Sequence, residues 1–510
     1  MKKYVFALAA LALTLVACEK KEEVKDTTPA QLVSFQLLKA DNAFLDKDYA
    51  PESISESMLI RIPSGGMDKT FTATITVGEH DKLYVNGKVI EGTKAGFEGK
   101  YAVDIEVVNS KSGKTAAYEV KIGKILENKL TKEASYSEGS VDMKSDVFLS
   151  VNPETQKPYI LYSRKSTVEA APDANYRLAC VSFDGKAFAS VGTLGFTADS
   201  RQAIACDFAF CGSVPYVLYY GESAASIPAV RKFDGAEWAY VGGNEWGTKI
   251  NGSYGKPSLY FVSGNPVFVA TGNIGKSDSG YRNATIFTFN GEAWSSTSGI
   301  TGLPKYGAKG GTDGVFYVGV PAVGADGSVY VVTSSNQYGY YLFKASNNWE
   351  MLVENFVPEG DKTYGVPNSL SAQIAPDGSV YVLAAIAGQG KYQLYKYDKD
   401  ASSFSACGTP VNLTPGSSDT VSETMKIGIN PVSGEIIGVY ASTEKELYFA
   451  SFDKESGWNE FVKVADAGIL AAKDAFDLAF APDGNAYIVT ANGTGFDVFK
   501  YGVEEDILPE

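Results

Sequence analysis

The residues able to do chemistry are unevenly distributed along the chain. There is one histidine, His80, in the polar turn Glu79-His80-Asp81. A histidine in such a turn reads as a solvent-exposed side chain and not as a metal ligand. No histidine follows it, so a Ser-His-Asp triad, a Cys-His pair and a His-based metal site are excluded from the remaining four-fifths of the chain. A carboxylate-pair glycosidase needs no histidine. Asp199, Glu245, Asp278, Asp313 and Asp361 are the candidate acids for that chemistry, but no spacing pairs them. No Gly-rich phosphate loop follows a strand, no EF-hand spacing occurs, and no cofactor or metal is expected.

Aromatic and cationic residues are richer in the same loops. Trp246, Tyr254, Tyr281, Arg282 and Tyr306 cluster in the longest of them and are the leading ligand-binding candidates. Arg201, Lys249, Lys305, Lys309 and Tyr364 lie in connections between repeating units, and Arg164, Tyr338, Tyr340 and Lys391 in loops within them. Aromatic faces stack on sugar rings, and cations bond to hydroxyls or acidic groups. The pattern predicts a protein that captures a glycan or a protein partner without catalysis. The alternatives are a carboxylate-based glycan-cleaving enzyme and a scaffold in a cell-surface complex.

One further residue is placed for covalent chemistry. Lys2 and Lys3 precede an apolar stretch, Tyr4 to Val16, too short to span a bilayer, and it ends in Leu15-Val16-Ala17-Cys18. This resembles the bacterial lipobox. The resemblance implies a signal peptide cut before Cys18, a diacylated thiol and an acylated new amino terminus. Several acyl chains anchor stably where one is marginal. The charged run from Glu19 to Asp26 lacks aromatics and reads as a flexible tether. Its Lys21-Glu22-Glu23 resembles the surface-export signal of Bacteroidetes lipoproteins, which implies an outer-membrane protein facing the exterior; the periplasmic face is the alternative.

The elements that must position these residues are read from composition and periodicity. The 510 residues carry a formal charge of −15, which argues against a nucleic-acid partner. With 31 Tyr, 27 Phe and 52 Gly and no long amphipathic helical window, the composition is that of an all-β protein. Cys180, Cys206, Cys211 and Cys407 sit beside apolar strand residues and read as buried thiols, with a Cys180–Cys206 or Cys206–Cys211 bridge left open.

After the signal (1–18) and tether (19–30), residues 31–125 alternate with period two. Phe71, Ala73, Ile75 and Val77 form one set, Tyr101, Val103, Ile105 and Val107 another, and Tyr118, Val120 and Ile122 a third. A hairpin is predicted around Asn86-Gly87. The block reads as a small antiparallel sandwich. It resembles the Ig-like modules near the amino terminus of Bacteroidetes surface lipoproteins, which implies a spacer.

Residues 126–510 repeat. Bursts such as Pro158-Tyr159-Ile160-Leu161-Tyr162, Pro215-Tyr216-Val217-Leu218-Tyr219 and Ser379-Val380-Tyr381-Val382-Leu383 recur roughly 50–63 residues apart, the period of propeller blades. Each is followed by an aromatic, an Asp/Asn turn and another aromatic, as in Phe233-Asp234-Gly235 with Trp238 and Phe289-Asn290-Gly291 with Trp294. The tryptophans are expected to cover the outer strand or pack between blades. Seven units of about four strands predict a seven-bladed β-propeller, six or eight if a unit is miscounted. The last unit stops short of its outer strand, which residues 129–137 would supply, removing exposed sheet edges. Kelch Gly-Gly pairs are missing from most units, and sialidase Asp-boxes are absent, with Ser182-Phe183-Asp184-Gly185 only a partial match.

Overall fold

The computed structural model describes residues 26–503, except 64–68, 100, 139–142, 166–175, 198–202, 221–226, 244–256, 272–283, 299–319, 325, 336–338, 346–348, 358–369, 387–390 and 413–423. The described chain is all-β and contains no α-helix; one 3-10 turn covers Ala465–Ala467. No described helix is long and apolar enough to cross a membrane. Two compact units divide the chain, one ending at Glu127 and the other spanning Asn128–Val503.

The first unit has a three-stranded sheet (Leu32–Gln36, Thr70–Val77, Lys94–Glu98) and a five-stranded sheet running from Ser57–Ile62 to Lys88–Ile90. Their inward residues, among them Phe35, Phe71, Phe97, Ile60, Ile105 and Ile122, form one core. Asn86 (φ 49°) and Gly87 (φ 74°) make the predicted hairpin turn. Two details differ from the sequence reading. Ser57–Ile62 runs parallel to Thr115–Lys124, so the sandwich is not wholly antiparallel. Alternation reports which face a residue takes and is blind to strand direction. Tyr101 lies outside its strand and is 58% exposed, because the strand begins only at Val103.

The second unit is propeller-like. Among the described residues it contains seven successive sheets, each with a four-stranded antiparallel path. The first runs Met143–Val151, Pro158–Lys165, Tyr176–Phe183, Phe188–Ser190. The innermost strands of the others are Ile204–Cys211, Leu259–Val262, Val320–Val323, Leu370–Ile374, Thr424–Ile429 and Phe476–Phe480. Each innermost strand lies beside the next, and the last beside the first, so they close a ring. The seventh sheet takes its outer strand from Asn128–Ser137, which pairs with Gly495–Val503. Strands from the two ends of the unit thus share one sheet, and the ring has no free junction.

Tryptophans pack between sheets. Trp238 donates its indole N–H to the Val191 carbonyl of the preceding sheet at 2.8 Å, and Trp294 does the same to Val241 at 2.7 Å. Glycine is required beneath the second ring. Gly242 has φ 75°, and a Cβ there would lie 2.5 Å from Trp294.

No disulfide joins Cys180, Cys206, Cys211 or Cys407. The first two are buried as expected; Cys211 and Cys407 are only half-buried, because each lies toward a strand end or an outer strand. Burial pushes the Cys180 thiol well above its ordinary range, leaving it unreactive.

Candidate functional site

Antiparallel order gives the unit two unlike ends. In each of the first six sheets, the turn after the first strand and the turn after the third lie at one end. The turn after the second strand and the link to the next sheet lie at the other. The first end is built of short turns locked by side chains. The Asp184 carboxylate accepts the backbone N–H groups of Lys186 (2.9 Å) and Ala187 (2.8 Å). Asp234, Asn290 and Asp453 repeat this two and three residues ahead. These bonds hold the Asp184, Asp234 and Asp453 carboxyls below the ordinary range.

The second end carries the long connections. Trp246 and Tyr254 fall in the link between the second and third sheets. Tyr281 and Arg282 fall within the third sheet's middle connection, and Tyr306 in the link from third to fourth. All five lie outside the described residues, as do Cys18, the acids Asp199, Glu245, Asp278, Asp313 and Asp361, and Arg201, Lys249, Lys305, Lys309, Tyr338 and Tyr364. The strand ends that bracket the five belong to this one end.

Three loop candidates lie instead in strands. Tyr340 is 2% exposed, and Lys391 begins a third strand. Arg164 is in the second strand of the first sheet, where its guanidinium meets the Glu138 carboxylate at 2.7 Å, with side-chain exposures of 17% and 8%. Glu138 follows the strand that closes the ring. Its other oxygen accepts the Tyr162 hydroxyl, which lies 3.1 Å from the Tyr136 hydroxyl. Burial and this carboxylate push the Tyr162 phenol far up, so it stays a donor. Arg164 therefore helps latch the seventh sheet to the first. Arg177 lies directly across from it in register, and burial, then the Arg164 charge, lowers its affinity for the proton.

The inner ring holds the second charged cluster. The Asp207 carboxylate accepts Leu259 N–H at 2.6 Å, from the third sheet, and Phe208 N–H at 2.8 Å. The Asp477 carboxylate accepts Leu149 N–H at 2.8 Å, from the first sheet, and the Lys426 ammonium at 2.8 Å. Lys426 also donates to the Phe476 carbonyl at 3.0 Å. Apart from the Phe208 bond, which stays within its own strand, each crosses from one innermost strand to its neighbour. Burial raises the Asp207 carboxyl to about 6, against its two backbone donors; the Asp477 charge adds to this and Lys426 opposes it. Both Asp207 oxygens are engaged, so the group acts as a clasp. Sequence reasoning passed over Asp207, Lys426, Asp477 and Glu138. The available signal was a lone charge inside an apolar strand, as in Ile204-Ala205-Cys206-Asp207-Phe208. Among the described residues, no group of three or more His, Cys, Asp or Glu is gathered as metal ligands would be.

No protein-family model matches the chain, and no curated protein matches its sequence. Similar solved structures include a quinonprotein alcohol dehydrogenase-like protein from Bacteroides thetaiotaomicron (13% identity, 82% of this chain and 96% of that chain, TM-score 0.36). A protein of unknown function from Dyadobacter fermentans is similar at 13% identity over 74% of this chain and 99% of that one, with a TM-score of 0.40. A mutant of Aleuria aurantia lectin in complex with Fucα1-6GlcNAc is similar at 13% identity, 74% and 97% coverage and a TM-score of 0.37. Identity this low does not transfer a ligand to this chain.

Proposed function

We propose that this chain is a lipoprotein anchored in the outer membrane through Cys18 and facing the cell exterior. In this reading an Ig-like sandwich is the spacer, and a seven-bladed propeller binds a glycan at the end carrying its long connections, without cleaving it. One observation supports the binding claim: the described strand ends that bracket the long connections lie at the end opposite the short locked turns, and the sequence of those connections carries Trp246, Tyr254, Tyr281, Arg282 and Tyr306. Rings offer flat apolar faces to sugar C–H groups, and cations bond to hydroxyls or acidic substituents. Seven sheets in a closed ring give those connections a rigid base. The competing reading is carboxylate-based glycan cleavage. Asp207 is the described carboxyl nearest to general-acid character, but its oxygens are committed to Leu259 and Phe208.

The test is a glycan array probed with the protein lacking residues 1–18, followed by a hydrolysis assay on every hit. Binding without turnover is expected. Turnover would replace the binding reading with the enzymatic one, and silence across broad panels would remove the glycan. For the anchor, acyl label should enter the wild-type chain and not Cys18→Ser, and external protease should reach the protein on intact cells.

A further inference from the structure

At the junctions between sheets, a ring that begins one sheet's outer strand fills the cleft against the sheet before it. Trp238 and Trp294 do this at the first two junctions. Trp349 packs among side chains of the third and fourth sheets. Phe404 meets Phe356 of the fourth sheet at 5.2 Å, and Trp458 joins the core shared by the fifth and sixth. The receiving position, four residues past the previous sheet's own ring, is glycine at Gly192, Gly242 and Gly408.

The junction between the sixth and seventh sheets breaks both halves of this pattern. The receiving residue is Val462, which is 64% exposed. The incoming residue, opposite Tyr501 as Trp294 is opposite Phe289, is Leu130. Here a cavity of about 210 Å³ opens, with Leu130, Phe449, Phe499 and Val462 as its apolar wall. Lys132, Lys463 and Asp466 also line it. The two ammonium groups are held in place, Lys132 by Asp497 at 3.0 Å and Lys463 by Glu446 at 2.7 Å.

We infer that this cavity is a binding site for an aromatic ring, an indole above all, presented as the side chain of a partner polypeptide. The ring occupies the place that tryptophan fills at other junctions. The apolar wall buries it, and fixed cations attract its π face, most strongly for indole. The site lies between the third and outer strands of the sixth and seventh sheets, with Val464, Ala465 and Asp466 from the start of the link joining them. It includes none of the connections that carry Trp246, Tyr254, Tyr281, Arg282 and Tyr306, so it stands or falls separately from glycan binding.

Ligand-observed NMR on the full chain tests this with N-acetyltryptophanamide as probe. Binding is expected with a dissociation constant on the order of 1 mM, and none with N-acetylleucinamide. Leu130→Trp installs the missing ring and should weaken binding at least about tenfold while raising the melting temperature. Val462→Trp blocks the same cavity from its exposed wall and serves if Leu130→Trp does not fold. Lys463→Gln, at a half-exposed side chain, should weaken binding severalfold with the fold intact. Undiminished binding to a folded blocking variant, or no binding at several times that concentration, would overturn the assignment. So would free indole binding where the peptide-like probe does not.

Discussion

The Asp207 carboxylate sits between two backbone N–H groups inside the ring, and burial nevertheless lifts it to about 6 from its ordinary 3.8. Its folded value exceeds its unfolded one, so ionisation opposes folding. The associated stability is fully present below about pH 4 and is lost as pH rises through 6, a difference of about 3 kcal/mol. Between pH 5 and 7.5, Asp207→Asn should flatten the dependence of the urea midpoint on pH, whatever constant offset the lost second acceptor adds. An unchanged slope would show that Asp207 is not the titrating group. The exposed turn carboxylates Asp184, Asp234 and Asp453 act with the opposite sign. Their values are lowered, so their contribution is present above 3.8 and fades as pH falls below it. The Glu138–Arg164 pair is tested by truncation. Arg164→Met leaves a carboxylate of 8% exposure without its cation, and chemical denaturation should show a loss of about 3–5 kcal/mol. The double change with Glu138→Leu should cost clearly less, as a double-mutant cycle reads coupling.

At the scale of elements, the outer hairpins are what hold neighbouring sheets together. Trp238 is 4% exposed, packs face to face on Phe196 at 4.6 Å and donates to Val191. Trp238→Ala should destabilise the unit by about 3–5 kcal/mol, measured by denaturant unfolding. A change under about 1 kcal/mol would show that the clasp is dispensable. These hairpins were readable in the sequence, because an Asp or Asn turn between two aromatics is a local signal. So was the closing strand, since the last unit stopped short of its outer strand and residues 129–137 could supply one. Arg164 and Tyr340 were misread as loop residues because strands extend beyond their apolar bursts. Glu138, Asp207 and Asp477 were invisible for a different reason. The Asp477–Leu149 bond joins residues 328 apart, and no local spacing records such a contact. The parallel pairing of Ser57–Ile62 was hidden likewise, since alternation is the same in either direction.

At the largest scale, the second unit sets a short-turned end against a long-connected end on one closed ring. The polarity follows from seven antiparallel sheets in chain order among the described residues, so the proposal of a binding end rests on topology and not on any one side chain. The most direct test compares the two ends. Taking a glycan identified on the array, its affinity is measured by calorimetry for wild type, for Trp246→Ala, Tyr281→Ala and Arg282→Ala, and for Glu237→Ala and Lys399→Ala in the short turns. The account predicts at least about tenfold weaker binding for one or more substitutions at the long-connected end, and an unchanged affinity for both in the short turns. Loss of affinity confined to the short-turn variants, or an affinity that none of the long-end substitutions alters, would contradict it.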